Sequence, residues 1–129
     1  MLTARCEAFL VGQEQALEIS LARLTAFAEA GADCLYAPGV NKPEEIAAIV
    51  RAVAPRPVNV LVSGFNSHLT MSQLADLGVR RISVGSGLAL AAWGAFQRAA
   101  REMAAEGNFA LLAEGAKSAE LNGLFAAPK

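Results

Sequence analysis

Ala30-Gly31-Ala32-Asp33-Cys34-Leu35-Tyr36-Ala37-Pro38-Gly39 reads as the end of one helix followed at once by a short buried strand. Gly31 takes the C-cap role, residues 33–37 (Asp-Cys-Leu-Tyr-Ala) read as a short strand, and Pro38-Gly39 closes it as a turn. Upstream, residues 14–30 carry Leu17, Leu21, Leu24 and Ala28 at steps of four, three and four, which is one stripe of a helix. Before that helix, residues 2–10 read as an extended, apolar-biased start that ends at Val11-Gly12. Downstream, Asn41 and Glu44 stand at capping-box spacing with Pro43 in the first turn, and the helix they open buries Ile46, Ile49, Val50 and Val53. Pro55-Arg56-Pro57 then forces extended backbone, so residues 58–62 are the third strand.

The same alternation continues. Residues 63–69 form a polar loop with Gly64, Asn66 and His68, and Thr70 with Gln73 makes a second capping-box spacing ahead of a short helix that stops at Gly78. Residues 79–84 are the fourth strand. Gly85-Ser86-Gly87 turns it into a long helix to about Glu106, with Leu88, Trp93, Phe96, Ala100 and Met103 on its apolar face and Gly107 at its end. Strand starts near residues 2, 33, 57 and 80 stand roughly 23 to 31 residues apart, the interval of successive parallel beta-alpha units. The class is α/β. Residues 1–107 hold four units, and residues 108–129 form a helical tail with Leu111, Leu112, Leu121, Leu124 and Phe125 apolar and Ser118 as N-cap. Four parallel strands suit either a flat, doubly wound sheet or half of an eight-unit barrel, which takes about 250 residues when whole. Composition does not choose between them.

Composition removes other classes. Eleven Lys and Arg against twelve Asp and Glu leave a net charge of -1 with no basic block, so the clustered cations of a nucleic-acid surface are lacking. The chain is 54% hydrophobic, yet every apolar stretch is broken within a few positions, far short of a membrane span of about 18 residues. Arg5 and Glu7 interrupt any signal-peptide core. Two cysteines, Cys6 and Cys34, fit small buried residues in a reducing cytoplasm and make neither a disulfide framework nor a CxxC pair. A phosphotransfer receiver of the flavodoxin-like type needs clustered acids at strand ends, and these are missing.

In order and spacing, Ala4-Arg5-Cys6-Glu7-Ala8-Phe9, the stretch at 30–39, Pro57-Val58-Asn59-Val60-Leu61 and Gly78-Val79-Arg80-Arg81-Ile82-Ser83-Val84-Gly85-Ser86 resemble the isocitrate lyase and phosphoenolpyruvate mutase superfamily. Its carboxyvinyl-carboxyphosphonate phosphorylmutase-like and methylisocitrate lyase-like members match best. The resemblance covers essentially the whole chain. It implies a TIM-type (βα)8 barrel of which this chain corresponds to units five to eight, a (βα)4 half with an additional C-terminal helical tail. It also implies Mg2+-dependent making or breaking of a C-C or P-C bond beside a 2-oxo acid or its enolate. The family's metal-binding acids and its Lys-Cys-Gly-His-type catalytic loop lie in the first four units and have no counterpart in this sequence.

The residues themselves agree about the metal. Mg2+ needs hard oxygen ligands converging at strand ends, and of the acids only Glu7 lies near the C-terminal end of a predicted strand, where barrel sites are built. No metal ligand is therefore assigned, and activity of the chain alone is expected to be impaired. Arg5 and Glu7 are two apart, hence on one face of a strand. Arg5 matches the family arginine that holds the substrate carboxylate, a task suited to a planar bidentate donor, and Arg5 and Glu7 are the candidate catalytic pair; alternatively they form a plain ion pair in the barrel mouth. Asn59, Gly85 and Ser86 join Arg5 as candidate substrate-binding residues, Asn59 by reaching the barrel interior and the Gly85-Ser86 turn by offering backbone N–H groups to an anion. A tight turn alone would also require the glycines. Tyr36, Pro38 and Gly39 shape the rim, and His68 has no partner for a nucleophilic triad.

Open sheet edges and an apolar tail call for a cover. Self-association through both is expected, either by two copies completing a pseudo-barrel or by the tail packing on a neighbour, and a non-catalytic, self-associating half-barrel scaffold is the alternative function.

Overall fold

The computed structural model describes residues 1–64, 66 and 68–126; Phe65 and Ser67 of the expected polar loop and the last three residues of the expected tail lie outside the described residues. The chain divides into two compact units, Met1–Leu88 and Ala89–Lys129.

The first unit holds strands β1 (Thr3–Arg5), β2 (Cys34–Tyr36), β3 (Val58–Leu61) and β4 (Arg81–Ser83), joined by helices α1 (Ala16–Glu29), α2 (Pro43–Val53) and α3 (Met71–Asp76). All pairings are parallel, and the strand order is β1-β2-β3-β4. That order decides the architecture. A doubly wound sheet reverses its strand order so that helices cover both faces, whereas steadily advancing right-handed crossovers keep every helix on one face, and α1 does pack against α2. Curvature is visible in one bond: Arg81 of β4 donates from Nη1 to Thr3 Oγ1 of β1 at 2.8 Å. Three strand spacings amount to about 14 Å in a flat sheet, beyond the reach of an arginine, so the sheet curls towards its bare face. The result is a barrel arc with helices outside.

Side chains alternate across this sheet. Leu35, Val58 and Val60 face the helices and are buried with Leu24, Ile46, Ile49 and Val53 in one continuous core. Ala32 N–H to Phe27 C=O and Gly31 N–H to Ala28 C=O close α1 in the paired bonds expected of a Gly-terminated helix, and Gly78 with Val79 closes α3 in the same way. Thr70 and Gln73 form their capping box, with Thr70 Oγ1 accepting from Gln73 N–H at 3.2 Å and Gln73 Oε1 from Thr70 N–H at 2.8 Å.

Several local expectations fail. The Asn41–Glu44 box does not form: α2 starts at Pro43 with Lys42 in the cap position and no side-chain cap, and Lys42 pairs with Glu45 at 3.3 Å instead. Residues 8–12 are turns rather than extended chain, since Val11 N–H bonds to Glu7 C=O and Gln13 N–H to Ala8 C=O. Every strand is shorter than expected because pairing is lost where the loops begin.

In the second unit, helix α4 (Gly87–Glu106, whose first two residues belong to the first unit) is followed by a 3-10 turn (Ala110–Glu114) and α5 (Ser118–Phe125). Ser118 is the first residue of α5, not its cap, a place Lys117 takes without a side-chain bond. The expected apolar face of α4 is not covered: Trp93 and Phe96 meet edge to face at 5.3 Å but are 59% and 61% exposed. No described helix is long and apolar enough to cross a membrane.

Candidate functional site

The bare, concave face of the sheet carries Thr3 and Arg5 of β1, Tyr36 of β2, Asn59 of β3 and Arg81 and Ser83 of β4. Register makes one row of them: Arg5 pairs with Tyr36, Tyr36 with Asn59 and Asn59 with Arg81. Cys34, which pairs with Thr3, and Leu61, which pairs with Ser83, share this face, while most of the buried apolar side chains lie on the helix side of the sheet.

Arg5 is the last residue of β1, half exposed, and is held from two directions. Its Nε forms an ion pair with Glu7 Oε1, and its guanidinium lies 5.2 Å from the ring centroid of Tyr36, within cation-π range. The hydrogen bond from Arg5 to Glu7 raises the Arg5 pKa above its already high value, more than burial lowers it. The cation is thus permanent, and among the described residues its Nη groups have no hydrogen-bond partner.

Asn59 is 2% exposed. Its Nδ2 donates to Ser83 Oγ at 3.0 Å, while its Oδ1 is buried with no partner among the described residues, as is Ser63 Oγ. An unused buried acceptor is uncommon, because its desolvation goes uncompensated. At the C-terminal end of β4, Gly85 adopts φ +50 with Leu61 Cδ1 3.1 Å from where its Cβ would stand, and Ser86 is exposed beside it. Asn66 stitches the rim together: its Oδ1 accepts from Ser63 N–H at 2.8 Å, and its Nδ2 donates to Leu61 C=O at 2.9 Å and Val40 C=O at 3.4 Å.

The structure thus brings Arg5, Glu7 and Asn59 to the inner face or its mouth and places Gly85 and Ser86 in the β4 to α4 turn; His68 is an exposed loop residue. Arg81 and Ser83 were not among the expected site residues. Their signal was present, since 81 and 83 share one face of the fourth strand and Ile82 takes the other.

These residues do not fit Mg2+. Among the described residues no three of His, Cys, Asp and Glu converge, and Glu7 is already engaged by Arg5. Asp33 stands at the opposite end of its strand, where Oδ2 accepts from Leu2 N–H at 2.6 Å.

Comparison with known proteins gives a consistent picture. The family described as phosphoenolpyruvate phosphomutase matches residues 1–104. The crystal structure of a candidate lyase/mutase from Burkholderia cenocepacia J2315 is 48% identical with a TM-score of 0.90, over 99% of this chain and 45% of that one. Oxaloacetate acetylhydrolase in complex with the inhibitor 3,3-difluorooxalacetate is 28% identical with a TM-score of 0.70, over 83% of this chain and 36% of that one. An uncharacterised protein of Mycobacterium tuberculosis H37Rv is 36% identical over 86 residues, 66% of this chain and 31% of its own length. The chain therefore spans less than half the length of each of these relatives.

Proposed function

The chain belongs to the phosphoenolpyruvate phosphomutase family, and from that membership we propose that its inner face is the carboxylate-holding part of a lyase or phosphonomutase site for a small 2-oxo acid or its enolate. The observation that carries this reading is Arg5: a permanent cation at the C-terminal end of an inner-face strand, braced by Glu7 and Tyr36, with Nη donors that have no partner among the described residues. A planar guanidinium fixed in this way is preorganised for bidentate contact with a carboxylate. Support for the ligand class comes from the oxaloacetate acetylhydrolase relative, whose inhibitor is a fluorinated 2-oxo acid. Bond cleavage or formation in this family relies on Mg2+, and the described carboxylates do not assemble a place for it, so the chain by itself binds ligand and is impaired in turnover. Two buried free thiols, Cys6 and Cys34, suit a reducing cytoplasm.

Titration calorimetry with oxalate, a planar mimic of the pyruvate enolate, tests the reading. The wild-type chain should give saturable heat with or without Mg2+, and Arg5→Ala should weaken binding about tenfold or more, the loss expected for a charged hydrogen-bonded grip. Absence of saturable heat, or undiminished binding by Arg5→Ala, overturns it.

A second reading, a self-associating scaffold, draws on the second unit. There an apolar groove of about 590 Å³ is lined by Phe96, Ala100, Met103, Phe109 and Leu112, and Leu124 and Phe125 are 80% and 86% exposed. Exposed apolar surface of this extent favours association. Light scattering at micromolar concentration should then report a dimer or larger species, and a monodisperse monomer counts against the scaffold.

A further inference from the structure

We infer that the two open edges of the sheet pair with those of a second copy of this chain, β4 of each copy beside β1 of the other, so that two (βα)4 halves close one eight-stranded barrel. This deepens the self-association reading and moves the contact from the groove of the second unit to the strands of the first.

The first observation is what the edges carry. Strands β1 and β4 each pair on one side only. In a parallel strand the backbone N–H and C=O of one residue point to one neighbour, and those of the next residue point to the other. On β1 the side towards β2 is served by Leu2, whose C=O accepts from Asp33 N–H at 3.0 Å, and by Cys6, whose N–H donates to Tyr36 C=O at 2.9 Å. Thr3 and Arg5 therefore turn their backbone groups to the open edge. On β4 the C=O of Ser83 accepts from Val62 N–H at 2.8 Å, so Ile82 turns its groups outwards at the opposite edge. Free edge groups of this kind are a template for another strand.

The second is that these two edges match each other. Where strands already meet, the earlier one bonds through residues facing the helices and the later one through residues facing the concave side, as Cys6 does with Tyr36 and Val62 with Ser83. The open edges offer the same combination: Ile82 faces the helices, and Thr3 and Arg5 face the concave side. β4 of one copy and β1 of another thus meet as one more parallel pair. Leu2 at one edge and Ile82 and Val84 at the other are exposed. All three stand on the helix side, and strands about 4.8 Å apart would bring them together across each junction.

The third is curvature. The bond from Arg81 Nη1 to Thr3 Oγ1 ties the two edge strands of one copy across the concave face and holds the arc bent. A closed parallel barrel takes eight strands, and this arc supplies four in unbroken order. A single two-fold axis makes both junctions at once and leaves no edge. Closure also places the Arg5–Glu7 pair of each copy around one mouth, so the two copies share the site.

Sedimentation velocity on the full chain across a micromolar dilution series, with hydrogen exchange of single amides, tests this. The wild type should be a dimer in which the amides of Arg5 and Ile82 exchange about tenfold or more slowly than in the dilute monomer. Thr3→Pro removes an amide that β2 does not use, at the first residue of a strand, where proline is tolerated. It should raise the dimer dissociation constant about thirtyfold or more, because two equivalent junctions each lose a hydrogen bond. Thr3→Val, which keeps the amide and removes only the hydroxyl that holds Arg81, should stay within about fivefold of the wild type. A dimer indifferent to Thr3→Pro, or one whose Arg5 and Ile82 amides exchange as fast as in the monomer, overturns the edge pairing; the exchange result needs no variant to fold. Dissociation by Phe109→Asp, in the groove of the second unit, with Thr3→Pro still dimeric, keeps self-association and overturns only its place on the edges. A wild type that stays monomeric throughout removes both.

Discussion

Gly39→Ala should cost about 3 kcal/mol or more of stability, read as a lower urea midpoint at unchanged slope. Two effects add. Gly39 sits at φ +94, a conformation that charges an L-residue roughly 1–2 kcal/mol. A methyl group there would also stand 2.9 Å from the backbone nitrogen of Leu10 and 3.0 Å from the carbonyl carbon of Phe9. The obstacle is main chain, so no rotamer change relieves it. Nor is that main chain free to retreat, because the turn at residues 8–12 is tied by Val11 N–H to Glu7 C=O and Gln13 N–H to Ala8 C=O. Gly31→Ala is the matched control: φ is +98 but nothing lies within 4 Å, so only the conformational cost of about 1–2 kcal/mol applies. Equal losses in the two variants would refute the close-approach account. Since the displaced turn begins at Glu7, Gly39→Ala should also weaken oxalate binding in whatever fraction remains folded.

Asn66→Asp should destabilise the chain by about 3 kcal/mol at pH 7.5, although it changes one NH2 to an oxygen. The side chain is fully buried. Its Oδ1 can go on accepting from Ser63 N–H, but the atom that now donates to the carbonyls of Leu61 and Val40 would become a second acceptor aimed at acceptors. Burial of an unpaired carboxylate adds to that repulsion. Protonation restores a donor, so the folded variant should hold the proton of the introduced carboxyl more tightly than its unfolded chain does. A carboxyl whose folded pKa is raised binds more protons when folded, and stability then falls as pH rises through the interval between the two values. Urea titrations of variant and wild type at pH 7.5 and at pH 4.5 should therefore show the gap narrowing on acidification. A gap independent of pH would mean that the loss comes from packing and not from the reversed bond.

Asn66 also marks the limit of what local sequence conveys. As one polar residue among others in a loop it carries no sign that it joins the ends of β2 and β3, because Val40 and Leu61 are its neighbours only after the strands have paired. The Thr70–Gln73 box was legible since all its atoms lie within one turn of chain. The Asn41–Glu44 pair has the same spacing and forms no box, because α2 begins with Lys42 in the cap place. Trp93 and Phe96 show a further limit: their helical spacing identifies an apolar stripe without saying what, if anything, covers it.

By itself the sequence determined the alternation of strand and helix, the four strand starts to within two residues, and the inward-turning Leu24, Ile46, Ile49 and Val53. Those follow from periods of two and 3.6 residues and from Gly and Pro at element ends, all of them local. Composition and periodicity left open whether the strands advance around an arc or reverse into a doubly wound sheet; the family resemblance implied the arc, and the order β1-β2-β3-β4 in the tertiary structure shows it. Tertiary structure alone decided that positions 5, 36, 59 and 81 form one row on the concave face, with a buried Asn59 oxygen between two arginines. Strand register is set by which surfaces bury together across the whole unit, and a shift of one residue in any strand would have sent its member of that row to the opposite face.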